Sequence, residues 1–189
     1  MNRIFKTLAI VTVIFVIGTF LLGLSIELGD IHDRKDLVTQ SRATMHRLTG
    51  IAAGMFVILI NSIAVTYFVG TTRWVKEVCD TYGIDQTHVV HSTLLKRASF
   101  PWAVTGMLVP VVIVAMGGAA DPSATTKLPL IAGIEWKWMH LVTAGIGLFT
   151  IVWAFMQQSY YMSENQAVIG RVMDAVKKIR SDRGLDVEQ

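Results

Sequence analysis

Four stretches of about twenty residues hold no Asp, Glu, Lys or Arg, at about residues 8–26, 50–70, 100–118 and 138–156. A helix needs about 20 predominantly apolar residues to cross the hydrocarbon core of a bilayer. No water is available there to satisfy backbone amides and carbonyls, so an uncharged run of this length reads as a helix that satisfies its own. Charged residues make up 16% of the 189-residue chain, against about 25% in soluble domains, and they collect in short blocks between the apolar runs. The fold class that follows is all-α: a polytopic membrane protein, one domain over residues 1–189, built as a four-transmembrane-helix bundle. Arg3 and Lys6 ahead of the first run resemble the start of a signal peptide. The run exceeds a typical apolar core of about 7–15 residues and no A-x-A site follows it, so a retained signal anchor is expected.

Orientation comes from the basic residues. Arg3, Lys6, Arg73, Lys76, Lys96, Arg97, Arg171, Lys177, Lys178, Arg180 and Arg183 fall on one side, eleven of the seventeen in the chain. Arg34, Lys35, Arg42, Arg47, Lys127 and Lys137 fall on the other. The richer side is expected to be cytoplasmic, which puts both termini inside and has the second and fourth spans both run inward. An integral protein of a bacterial inner, or cytoplasmic, membrane is the expected setting.

Outside the bilayer, the second helix is expected to continue to Tyr82 and stop at Gly83. Asp85 then caps a short helix through Arg97, and Pro101 stands in the first turn of the third span. Pro110, mid-span, is expected to kink that helix. Val168, Ile169, Val172, Met173, Val176 and Ile179 recur at helical spacing, so an amphipathic helix over about residues 157–183 continues the fourth span on the cytoplasmic side. It could pack on the extension of the second helix, on a partner or on the membrane surface. Glu135-Trp136-Lys137-Trp138 has the character of an outer aromatic belt.

The second and fourth runs open alike. Met45-His46-Arg47-Leu48-Thr49-Gly50 and Met139-His140-Leu141-Val142-Thr143-Ala144 both read M-H-x-x-T-small. This echo between the second helices of two hairpins points to a duplication about an axis along the membrane normal. Both helices run inward, so His46 and His140 are expected at similar depth near the outer surface. Residues four, seven or eight positions on share a helix face: Gly50, Ala53 and Gly54 below His46, and Ala144, Gly147 and Leu148 below His140. Such a column of small residues serves either close helix approach or room for a flat macrocycle.

The two Met-His openings resemble the b-type haem sites of small membrane cytochromes, where histidines on two helices of a four-helix bundle ligate one haem. His46-Arg47-Leu48-Thr49-Gly50 is also similar to the His-Arg signatures of haem A synthase. The resemblance covers about a dozen residues. It implies His46 and His140 as ligands of the iron of a haem b, Arg47 as partner of a propionate, and Gly50, Gly54, Ala144 and Gly147 as the residues beneath the ring. It implies an electron carrier or accessory subunit, more than an enzyme, working in quinol-linked electron transfer with quinone as a possible partner. Many such proteins carry a second histidine pair on the opposite side. This chain has no histidine in the apolar part of the first or third run, so one bis-histidine haem near the outer face is the most that fits.

Other readings stand beside it. A cofactor-free scaffold or assembly subunit would dock a membrane complex, or a second copy of itself, through its cytoplasmic helices. A metal-handling protein would use Met45, His46, Met139 and His140 for copper, although neighbouring residues of a helix point to different faces. His88 and His91, one turn apart, read as a solvated face, His32 as exposed in an acidic loop, and lone Cys79 as a small buried hydrophobe. Asn61 and Ser62 are expected to bond to a neighbouring helix. No charged residue lies deep in a span, which disfavours a proton relay or a charged-substrate transporter. The chain shows no catalytic set or phosphate loop, and no basic stripe with interleaved aromatics for nucleic acid.

Overall fold

A computed structural model describes residues 2–27, 37–121, 129 and 133–184. Four helices account for nearly all of them: α1 Asn2–Glu27, α2 Leu37–Tyr82, α3 Thr87–Ala120 and α4 Trp136–Asp182. Each contains a stretch long and apolar enough to cross a membrane. α1 and α3 each pack on both α2 and α4, and α2 and α4 also meet across the centre. The end of α1, the start of α2, the end of α3 and the start of α4 lie at one end of the bundle, the histidine end. The α2–α3 turn and the last turns of α4 lie at the other, the tail end.

The surface is apolar where the interior is not. Ile10, Ile14 and Leu21 on α1, Met55 and Leu59 on α2, Leu108 and Val111 on α3, and Ile146 and Phe149 on α4 all face outward. Contiguous exposure on this scale is foreign to a water-soluble monomer and natural against lipid tails. Meanwhile Asn61, Ser92, Gln158 and Asn165 are wholly buried. In α4 the buried positions Ile151, Gln158, Asn165 and Val172 recur every seven residues, a seam repeating as in parallel coiled helices. Gln158 Nε2 donates to Asn61 Oδ1 at 2.7 Å. Nearer the tail end Ser92 donates to Asn165 Oδ1 at 2.8 Å, Asn165 Nδ2 to Thr71 Oγ1 at 2.9 Å, and the Ser92 and Thr72 hydroxyls lie 3.1 Å apart. The expected interhelical bond of Asn61 is thus present, whereas Ser62 turns back to the Ile58 carbonyl of its own helix.

Helices outrun the apolar stretches. α2 has 46 residues and α4 has 47, about 70 Å each against a hydrocarbon core of about 30 Å. α2 starts at Leu37, well before the apolar run, because polarity ends a span without ending a helix and residues 38–49 include no Gly or Pro. At its other end Gly83 adopts φ +68° and Ile84 N–H bonds back to the Cys79 carbonyl at 3.0 Å, a Schellman stop.

The separate helix expected from Asp85 to Arg97 is not separate: α3 runs unbroken through Pro101 and Pro110. Asp85 Oδ1 does accept the Thr87 N–H at 2.9 Å, and that bond holds its carboxyl below the usual carboxylate range. α4 is likewise continuous to Asp182. Its tail packs on the extension of α2, with Val172 buried among Val75, Cys79 and Ile84, and Val176 and Ile179 alongside. Cys79 is fully buried there, and burial pushes its thiol up.

Candidate functional site: a facing histidine pair

α2 and α4, parallel across the bundle centre, bring His46 and His140 together at the histidine end. Their ring centroids are 6.2 Å apart with planes at 69°, and both side chains are half-buried. Each ring lies over a glycine of the preceding helix of its own hairpin. A Cβ on Gly23 of α1 would come within 2.5 Å of His46 Cε1, and one on Gly117 of α3 within 3.1 Å of His140 Cε1. Both glycines precede their histidine by 23 residues, and a single offset of 94 carries Gly23 to Gly117, Met45 to Met139, His46 to His140 and Thr49 to Thr143. Gly23 and Gly117 were not among the residues the sequence reading selected. The offset that aligns the histidines was the signal that could have found them.

His46 Nδ1 lies 3.1 Å from the Thr19 carbonyl. A carbonyl only accepts, so Nδ1 carries a proton in this contact, and a ring with its one proton there has its lone pair on Nε2. A backbone carbonyl holding Nδ1–H is the usual way a ligating imidazole is fixed in orientation and tautomer. Two imidazoles on opposite sides of one metal, each bonded at about 2.0–2.1 Å, have centroids about 6 Å apart. The 6.2 Å separation of His46 and His140 is of that order, and it is equally that of an edge-to-face contact between two rings.

The remaining candidates divide. A Cβ on Gly54 would meet Pro110 Cβ at 3.4 Å, one on Gly50 would meet Thr19 Cγ2 at 3.7 Å, and one on Gly147 would meet Val109 Cγ1 at 3.1 Å and clash with Ile113. Gly147 thus serves close approach of α4 to α3, whereas a Cβ at Gly50 or Gly54 would make only ordinary contact with α1 or α3. Ala144 is half-buried on α4. Arg47 pairs with Asp121 at the end of α3, Nη1 to Oδ2 at 2.6 Å, tying the two hairpins together beside the histidines. Met45 is exposed on the outer side of α2, apart from His46, so the two do not converge as a copper pair would. Trp136 Nε1 donates to the Pro129 carbonyl at 3.1 Å, and Lys137 Nζ stands 5.4 Å from the Trp138 ring centre. His91 is exposed, with Nδ1 3.5 Å from Arg171. Among the described residues no group of three or more His, Cys, Asp or Glu is placed to hold a metal. His32 lies outside the described residues.

No protein-family model matches this chain, and no curated protein or solved structure compared with it matches significantly.

The glycine cradle makes a graded prediction. Gly23→Ala and Gly117→Ala both keep the histidines but displace their rings, and the closer clash makes Gly23→Ala the more damaging. On the haem reading proposed below, each would weaken haem retention about 10–100-fold, as loss of orienting groups does, measured by titrating apoprotein in detergent with haemin. Wild-type affinity in Gly23→Ala would remove the glycine from the site.

Proposed function

We propose that this chain is a small membrane cytochrome that holds one haem b between α2 and α4, as an electron carrier or an accessory subunit in quinol-linked electron transfer. The observation that carries the reading is the His46–His140 pair, 6.2 Å apart on parallel helices. His46 and His140 would ligate the iron through Nε2, Thr19 would orient His46, and Gly23 and Gly117 would leave room for the rings. Bound haem supplies one-electron chemistry. The apolar outer surface makes a lipid-soluble quinol a suitable redox partner. The test is a reduced-minus-oxidised spectrum of the protein purified in mild detergent. A b-type α-band is expected, and a well-expressed, colourless protein contradicts the reading.

The proposal includes a topology with both termini in the cytoplasm of a bacterium and the histidine end outward, supported by the distribution of basic residues. A reporter that is active only in the cytoplasm, fused after Gln189, is expected to be active. Inactivity there, with activity of a periplasmic reporter at the same site, inverts the assignment.

A second reading, a cofactor-free docking subunit, has one observation in its favour. Val90 and Leu94 are 58% and 56% exposed on the part of α3 beyond its apolar run, one turn apart on a face that a partner would cover.

A further inference from the structure

At the tail end, where α2 and α3 leave their apolar runs, Val69, Lys96, Arg97, Phe100 and Pro101 line one shallow groove. Its two halves differ in chemistry. Val69 and Phe100 are about half exposed and stand at the last turn of one apolar run and the first of the other. Lys96 and Arg97 stand one turn further out, at headgroup level. Among the described residues neither has an acidic partner, whereas nearby Arg73 is paired with Glu77 at 2.8 Å. The groove therefore offers two cations above an apolar floor, where the apolar runs of α2 and α3 give way to their polar extensions. Basic pockets between spanning helices bind acidic lipid headgroups in this way.

We propose that this groove seats one anionic phospholipid, its phosphate on Lys96 and Arg97 and the start of an acyl chain over Val69, Phe100 and Pro101. The site is independent of the histidine pair and stands or falls separately from it.

The experiment is native mass spectrometry of the full chain in detergent, with phosphatidylglycerol and phosphatidylcholine of identical acyl chains. Phosphatidylglycerol is expected to be retained preferentially. The double variant Lys96→Gln/Arg97→Gln is expected to weaken that retention about 30-fold, while Lys96→Arg/Arg97→Lys keeps it and Lys177→Gln/Lys178→Gln, which removes equal charge from α4, leaves it unchanged. Equal retention of the two lipids overturns the proposal, as does an equal loss in both charge-removal variants. Displacement by millimolar inorganic phosphate also overturns it, since the groove would then be a plain anion pocket. A charge-conserving variant that loses binding as fully as the glutamine variant does so too.

Discussion

His46→Ala and His140→Ala are each expected to abolish bound haem almost completely, and the double substitution to do no more than either alone. One iron shared by two imidazoles loses its closed coordination when either ring is removed, so the effects do not add. Haem content per chain in the purified variants, by pyridine haemochrome, checks this. Retention of the wild-type content in one variant would mean that its histidine is not a ligand. Folding is expected to survive, because both rings are only half-buried at one end of the bundle, so normal membrane yield should accompany the loss of colour.

Gly106→Ala is expected to have the largest effect on stability. Gly106 of α3 faces the carboxamide of Asn61, whose Nδ2 would stand 2.7 Å from an added Cβ. Asn61 has no easy retreat: it is wholly buried, receives Gln158 at 2.7 Å and donates to the Val57 carbonyl at 2.7 Å. Overpacking costs about 1–3 kcal/mol, and a buried amide left unpaired about 1–3 kcal/mol more. Thermal unfolding in detergent is expected to show a clear fall in Tm for Gly106→Ala, and most of that penalty should vanish in an Asn61→Ala background. Strictly additive penalties would show that the two residues do not press on each other.

The spans were legible because charge is costly in hydrocarbon, and the four uncharged runs stand where the four helices are. Helix ends were less legible. Leu37 to Leu48 is polar enough to read as a connection, and the helix up to Arg97 read as separate from the third span, yet hydropathy records the solvent around a helix and says nothing of where its hydrogen bonds stop. Gly83 was readable because a left-handed residue has a sequence preference.

The histidines were found through their repeated dipeptide, while the glycines opposite them were passed over for the small residues below. Of those lower residues, Gly147 turned out to bring α3 close. Arg47 was assigned by proximity to His46. Its partner Asp121 is 74 residues away, a contact that only the packing of the hairpins reveals. Gln158 and Asn165 were passed over among the polar positions of the amphipathic tail helix, though both fall on the seven-residue seam of Ile151 and Val172.

The central claim is that His46 and His140 ligate one haem together. Low-temperature electron paramagnetic resonance of the oxidised protein, combined with haem quantitation, tests it most directly. The expected result is one haem per chain with a low-spin ferric signal of bis-imidazole ligation. A high-spin signal, or a folded protein that neither contains haem nor takes it up, would contradict the account.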